Sequence, residues 1–534
     1  MARQHRSCYP YAFTTVAPFD EQLRSALKEA PWWMISIALH VLVGALLLAL
    51  DTSEPEAAAP PLVSATMAQE LIDEIPPEDD KVEDKIQELV ENPQPVDIPE
   101  PEVDVPETDN DLPTNEVLGN ETGLSDAPFE GPSKNSEIGI GPGAGGRWGR
   151  GKGGDDNSGG RRGGGERSEN AVDDALKWLA AHQSGSSGGW EAAGFMNWCD
   201  LQPAADGQRS DGAGKTMYDA GVTGLALCAF LGAGYTNRGD HEFARTVSRG
   251  LKHLKDIQDP EGCFGPRSTQ QYIYNHATAS LAMVEAYGMT GSPIFKAPAQ
   301  RALDFIALAR NPYFAWRYGI KPGDNDTSVT GWMMMALKSA KLVNSYEIKA
   351  GKPAPLSVDD GAFDGIRTWL DKVTDPNTGR VGYLTRGTGP ARPQELIDKF
   401  PADKSESMTG VGVLARVFSG EDVDKSDAIK KGAELCAKLP PTWNESDGSI
   451  DMYYWYYATL AMFQVGGKHW DKWKVAMDKA IVDSQRRDTD YCQFKGSWDP
   501  IGPWGPDGGR VYSTAILAMC LEVYYRYPRV AGTK

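Results

Sequence analysis

Six times between Asn170 and Tyr527 the chain repeats one pattern: an amphipathic helix, a loop carrying an aromatic beside glycine, then a helix that is apolar nearly all round. Repetition at this period marks stacked supersecondary units, none of which can bury its apolar face alone. The first helices show apolar residues at helical spacing beside a charged face. Val172, Ala175, Leu176 and Leu179 make one stripe, and Phe363, Ile366, Leu370 and Val373 another. The loops carry Gly189-Trp190, Phe264-Gly265, Tyr318-Gly319, Gly382-Tyr383 and Trp498.

The second helices must be covered on more than one side. Their register follows from aligning Leu225-Ala226-Leu227 with Leu281-Ala282-Met283, Leu460-Ala461-Met462 and Leu517-Ala518-Met519. This predicts starts near Asp219, Asn275, Asp326, Ser405, Tyr454 and Val511, spaced 56, 51, 79, 49 and 57 residues apart. Six buried helices ringed by six amphipathic ones satisfy every apolar stripe, and small residues on the inner helices permit close approach. The expected fold is all-α, an (α/α)6 toroid over residues 169–534.

The net charge of −20 is local. Residues 51–125 hold 22 Asp and Glu against two Lys and account for all of it, so the toroid is close to neutral. Nothing in that balance suggests a nucleic-acid groove. Residues 51–138 form an acidic, Pro-rich linker and residues 139–168 a Gly/Arg-rich one; both lack the apolar residues a core needs.

Ahead of them, residues 1–30 form an N-terminal segment, and residues 31–50 an uncharged apolar run of 20 residues, long enough to span a bilayer as a helix. A cleaved signal peptide is the competing reading, but the run starts late for one. Arg24 and Lys28 before it, with Asp51, Glu54 and Glu56 after it, place the N-terminus in the cytoplasm and the toroid in the periplasm or its equivalent. Ser36 and His40 share one face of this helix, and an intramembrane His is a candidate for a proton pathway. The Ser-x-x-x-His helix followed by an acidic, Pro-rich spacer resembles the anchor of the TonB family of energy transducers. That resemblance covers about the first 110 residues and implies a motor of the ExbB/ExbD type as partner.

Over residues 170–527 the hairpin unit, with its Gly-aromatic loop and its Thr-Gly inner helix, resembles the prenyltransferase and squalene-cyclase repeat. The resemblance implies a toroid that serves cyclases, protein prenyltransferases and non-catalytic binding domains alike. The acidic motif of the cyclases has an incomplete counterpart in Asp324-Asn325-Asp326-Thr327. The zinc pair of the prenyltransferases has one in Asp490-x-Cys492, but no His follows His469, so neither zinc nor another cofactor is expected. Among seven cysteines, Cys199, Cys263 and Cys492 fall in or near loops and could pair in an oxidising compartment, without a spacing that requires it.

The remaining candidates sit where the inner helices begin. Asp219, Asn275, Asp326 and Ser405 read as helix N-caps whose helices direct their positive ends toward one mouth. Tyr218, Tyr274, His276, Tyr453, Tyr454, Trp455 and Tyr512 lie at the same level and predict an aromatic lining with polar tips. Two functional classes stay open. One is a membrane-anchored protein binding an apolar, carbohydrate or peptide ligand. The other is an enzyme on an isoprenoid or a polysaccharide, with Asp324, Asp326, His276 and the Tyr hydroxyls as its acid/base groups.

Overall fold

The computed structural model describes His40 and residues 166–199, 211–349, 351–487 and 494–523. Twelve α-helices lie in these residues: α1 (Glu166–Ala181), α2 (Asp219–Gly232), α3 (Ala244–Ile257), α4 (Tyr272–Thr290), α5 (Pro293–Ala309), α6 (Thr327–Lys349), α7 (Gly361–Val373), α8 (Ser407–Phe418), α9 (Asp427–Lys438), α10 (Met452–Val465), α11 (Gly467–Ser484) and α12 (Gly505–Leu521). The even-numbered helices pack on one another in ring order, α2 through α12, and α12 returns against α2. Each odd-numbered helix covers them from outside, and α1 meets both α11 and α12. The described residues from 166 onward form an (α/α)6 toroid, and its ring is closed.

The burial pattern follows the sequence. Val172, Ala175, Leu176 and Leu179 are buried on α1, while α2 is buried from Ala220 to Gly232. Small residues set the inner spacing: a Cβ on Gly224 would stand 2.6 Å from the backbone nitrogen of Ala279 on α4, and one on Gly331 2.6 Å from Val411 on α8. Only glycine lets the α4 backbone come so close at Gly224, and at Gly331 it makes room for the Val411 side chain.

A recurrent hydrogen-bonded corner joins an outer helix to the next in three of the repeats. In the first repeat the Trp190 indole donates to Leu179 O, and its backbone N–H donates to Thr223 Oγ1 on the inner helix. Gln183 Nε2 donates to Gly188 O and across to Thr246 O of α3. Gln258 does the same with Gly262 and Pro298, and Gln485 with Gly496 and Ala171. The glycines of these corners have φ of +79°, +94° and +90°, and a Cβ there would strike the backbone of the next outer helix. The Gly-aromatic pairs of the sequence mark these corners correctly except in the third and fourth repeats. There Trp316 and Val381 take the buried place, bonding Thr330 and Thr409, and Tyr318 and Tyr383 do not.

The expected helix starts need correction at three points. α4 begins at Tyr272, so Asn275 lies inside it; α8 begins two residues after Ser405; and α10 begins at Met452. At Gly509, φ of 65° interrupts the backbone, so regular helix resumes close to Val511. Of the four expected caps, Asp326 is one, its Oδ1 accepting from Val329 N at 2.7 Å. Asp219 instead accepts from Ala192 N in the preceding corner. Asn275 reaches back to Gly221 N and Met217 O of the neighbouring repeat, while Ser405 Oγ accepts from Ser407 N at the start of α8, as a cap does, and donates to Asp451. The cap of α10 is Asp451, which accepts from Tyr454 N.

No helix among the described residues is long and apolar enough to cross a membrane. The span proposed at 31–50 lies outside them except for His40, which is helical and exposed. Cys263 is a free thiol, and Cys492 lies outside the described residues.

Candidate functional site

The segment 310–326, between α5 and α6, carries most of the chemistry. Asn311 is its hub: Nδ2 donates to Asp324 O and Asn325 Oδ1, while Oδ1 accepts from Gly323 N. Asn325 Oδ1 also accepts from Ala315 N. This network holds two non-glycine residues at positive φ, Tyr313 (64°) and Lys321 (47°). Such conformations cost free energy and persist where surrounding bonds over-determine them. Between the two strained positions lie Arg317 and Tyr318; just beyond come Asp324 and Asp326.

Asp326 is fully buried. Its Oδ1 caps α6, but Oδ2 has no hydrogen-bond partner. Arg317 Nε, itself buried and without a partner, lies 4.0 Å from that oxygen. The rest of the Arg317 guanidinium pairs with the more exposed Asp324. Burial pushes the Asp326 carboxyl up to about 7, against the opposing pull of the α6 backbone donors, Arg317 and the Tyr383 hydroxyl.

Around this carboxyl stand tyrosines from the other repeats. The Tyr318 and Tyr383 hydroxyls are 2.7 Å apart, and Tyr274 packs on Tyr318 with ring centroids at 5.9 Å. Tyr453 bonds Ser328 on the first turn of α6 at 2.9 Å. Burial raises the hydroxyls of Tyr274, Tyr383 and Tyr453 above their ordinary value, with the Asp326 charge adding to it. Tyr218 feels Asp507 and Tyr318, while Tyr512 feels Asp451, Tyr453 and Asp507, so all six repeats contribute a group to one neighbourhood. The Tyr512 hydroxyl and Ser407 Oγ are buried without partners. Trp332 closes the space from within, its ring lying 5.4 Å from Tyr456 and 5.2 Å from Tyr457.

The structure thus brings together Tyr218, Tyr274, Asp324, Asp326, Tyr453 and Tyr512. It places five other candidates elsewhere. Tyr454 points outward, its hydroxyl donating to Cys436 O and Leu439 O, and Trp455 is buried against Trp443. His276 is the second repeat's substitute for the corner threonine: Nδ1 accepts from Phe264 N, and the ring packs edge-on to Phe305. Burial lowers its pKa to about 3, so it is a neutral structural acceptor. Asp219, turned toward Ala192, is raised to about 6 by burial. Asn275 bridges helices rather than lining the mouth.

Arg317, Tyr318, Tyr383 and Ser328 were not singled out in the sequence as site residues. A second charged pair is also new. Arg392, from the long connection between α7 and α8, bonds Asp451 Oδ2 at 2.8 Å with both side chains buried. A separate cleft of about 420 Å³, lined by Gln183, Trp198, Cys199, Arg245 and Arg249 among others, shares no residue with the mouth and has no carboxyl in its lining. No group of three His, Cys, Asp or Glu side chains among the described residues could hold a metal ion; Asp490 and Cys492 fall outside them.

No family model and no curated protein matches the chain. Among solved structures, it is similar to an inactive variant of an alpha-1,6-mannanase of Salegentibacter sp. HEL1_6 in complex with alpha-1,6-mannotriose. The identity is 12%, the TM-score 0.43, and the match covers 67% of this chain and 99% of that one. An alpha-amylase from Clostridium perfringens is similar at 13% identity and TM-score 0.40, over 66% and 97% of the two chains. The type II terpene cyclase MstE from Scytonema is similar at 12% identity and TM-score 0.38, over 67% and 97%.

Proposed function

We propose that the mouth of the toroid is an acid–base site for a hydroxyl-rich substrate of the oligosaccharide or polysaccharide class. The observation that carries this reading is Asp326: a fully buried carboxyl with one unpartnered oxygen and a pKa near neutrality, which can hold a proton and deliver it to a leaving oxygen. Asp324, two residues earlier and held by Arg317, is the second carboxyl that such chemistry requires. The tyrosines supply hydroxyl tips and ring faces suited to sugars. An isoprenoid substrate fits less well, because it would need an apolar chamber where Trp332, Tyr456 and Tyr457 are packed together.

The chain works from a membrane in this proposal, with residues 31–50 as its anchor, the toroid outside the cytoplasm, and Ser36 and His40 facing a motor of the ExbB/ExbD type. The long acidic spacer then lets the toroid act on substrate held away from the bilayer.

A second reading is a ligand-binding protein with no turnover. It is favoured by the pairing of Asp324 with Arg317, which occupies the second carboxyl. Full-length protein in detergent, incubated with a panel of labelled α- and β-linked oligosaccharides, separates the two. Turnover lost in Asp326→Asn at unchanged thermal stability supports the acid. Binding by both proteins, with no turnover by either, supports the binding reading.

A further inference from the structure

Two buried polar atoms in the mouth lack hydrogen-bond partners and face each other: Arg317 Nε, a donor, and Asp326 Oδ2. Their separation of 4.0 Å is too long for a hydrogen bond. One oxygen atom between them, at about 2.8 Å from each, would bond both at an angle of about 90°. Burying either group unsatisfied is costly, so the gap calls for an occupant.

We propose that this gap is a subsite for one hydroxyl oxygen of the bound ligand, accepting from Arg317 Nε and donating to Asp326 Oδ2. The inference rests on the hydroxyl-rich substrate proposed above and names how it is recognised. The chemistry of the gap is selective. An ammonium has no lone pair for Arg317, an ether has no proton for the carboxylate, and a carboxylate or phosphate would meet Asp326 with like charge. A hydroxyl serves both partners.

The neighbours keep the gap open. Asp324 anchors the far side of the guanidinium, and Asp326 Oδ1 is committed to Val329 N. Arg317 is therefore a binding residue whose Nε, and not only its charge, matters. Lysine at 317 keeps the charge and loses that donor.

The test has two arms, both on the full-length protein. In the first, a crystal or high-resolution cryo-EM structure without sugar is expected to have an ordered water within about 3.0 Å of both atoms. Direct closure of the gap, or an empty gap, would overturn the subsite. In the second arm, calorimetry compares the trisaccharide of the panel that binds most tightly with its monodeoxy derivatives, using wild type and Arg317→Lys. One derivative is expected to lose about tenfold in affinity for wild type and little more for Arg317→Lys, since both changes remove the same bond. Equal, additive losses for every derivative would overturn the proposal. A panel with no binder at all, beside a bridging water, would instead overturn the oligosaccharide reading and with it the ligand hydroxyl, leaving a hydration site only.

Discussion

Gln485 ties the last repeat to the first: its Nε2 donates to Gly496 O at 2.9 Å in its own corner and to Ala171 O of α1 at 2.7 Å. The two residues are 314 positions apart, and the bond repeats what Gln183 and Gln258 do between sequential neighbours. The ring is thus closed by the device that builds it.

Replacing Gln485 with Leu leaves two buried carbonyls without their donor and is expected to cost about 2–4 kcal/mol. Because α1 and α11 lie at the seam, hydrogen exchange in these helices should quicken more than in α5 or α7. Gln258→Leu, away from the seam, should cost a similar amount while raising exchange in α3 and α5 instead. Equal protection of α1 in the two variants would show that the seam is no weaker than any other junction.

Asp326 makes stability depend on pH in the direction opposite to most carboxyls. Its folded pKa, near 7, stands above the unfolded value of 3.8. Between those values the folded chain keeps a proton that the unfolded chain has released, so stability is greatest below about pH 4 and falls as pH rises to about 7. The span corresponds to about 4 kcal/mol. Asp326→Asn retains an oxygen to cap Val329 and removes the titration. The difference in denaturation midpoint between wild type and this variant should therefore grow from pH 4 to pH 7 in favour of Asn. A constant difference would mean that the carboxyl is already ionised in the fold.

Repeat number, helix class and the inner/outer distinction were legible because they rest on periodic burial, which sequence records directly. The mouth was legible in part. Tyr218, Tyr274, Tyr453 and Tyr512 could be picked by register, but Tyr454 and Trp455 shared that register and turn the other way, since successive helical positions differ by about 100°. Tyr318 and Tyr383 were masked by their own glycines, which made them look like corner aromatics. The corner Gln, six residues before Phe264 and seven before Trp190, has no counterpart in these two repeats and so gave no signal there. Arg392 and Asp451 are 59 residues apart with no periodic relation, and pattern alone could not have joined them.

His276 carries a separate prediction. It fills the place that Thr223, Thr330, Thr409 and Thr514 occupy in other repeats. His276→Thr preserves an acceptor for Phe264 N but opens space beside Phe264 and Phe305, at an expected cost of about 2–4 kcal/mol at pH 7. The folded pKa lies near 3, below the unfolded 6.5, so the stability His276 contributes is complete above pH 6.5 and declines as pH falls toward 3. The variant's penalty should shrink over that interval. Oligosaccharide turnover, measured at pH 7 on the folded fraction, should be unchanged, because the ring lies away from the mouth.

The connection between α7 and α8, residues 374–406, lies within the longest repeat spacing, and its course explains part of that length. It brings Tyr383 to the Asp326 carboxyl and then seats Arg392 on Asp451 at the start of α10. Asp451→Asn keeps the cap on Tyr454 N but leaves the Arg392 guanidinium buried without a counter-charge, a change that costs about 3–5 kcal/mol. Release of the connection is cheaper than unfolding the toroid, so the expected result is faster proteolytic cleavage within 384–404 with the helical core intact. Arg392→Met in the same background removes the stranded charge and should restore much of the protection. If the connection positions Tyr383, turnover should fall in Asp451→Asn and recover in the double variant; cleavage without any change in turnover would separate the anchor from the site.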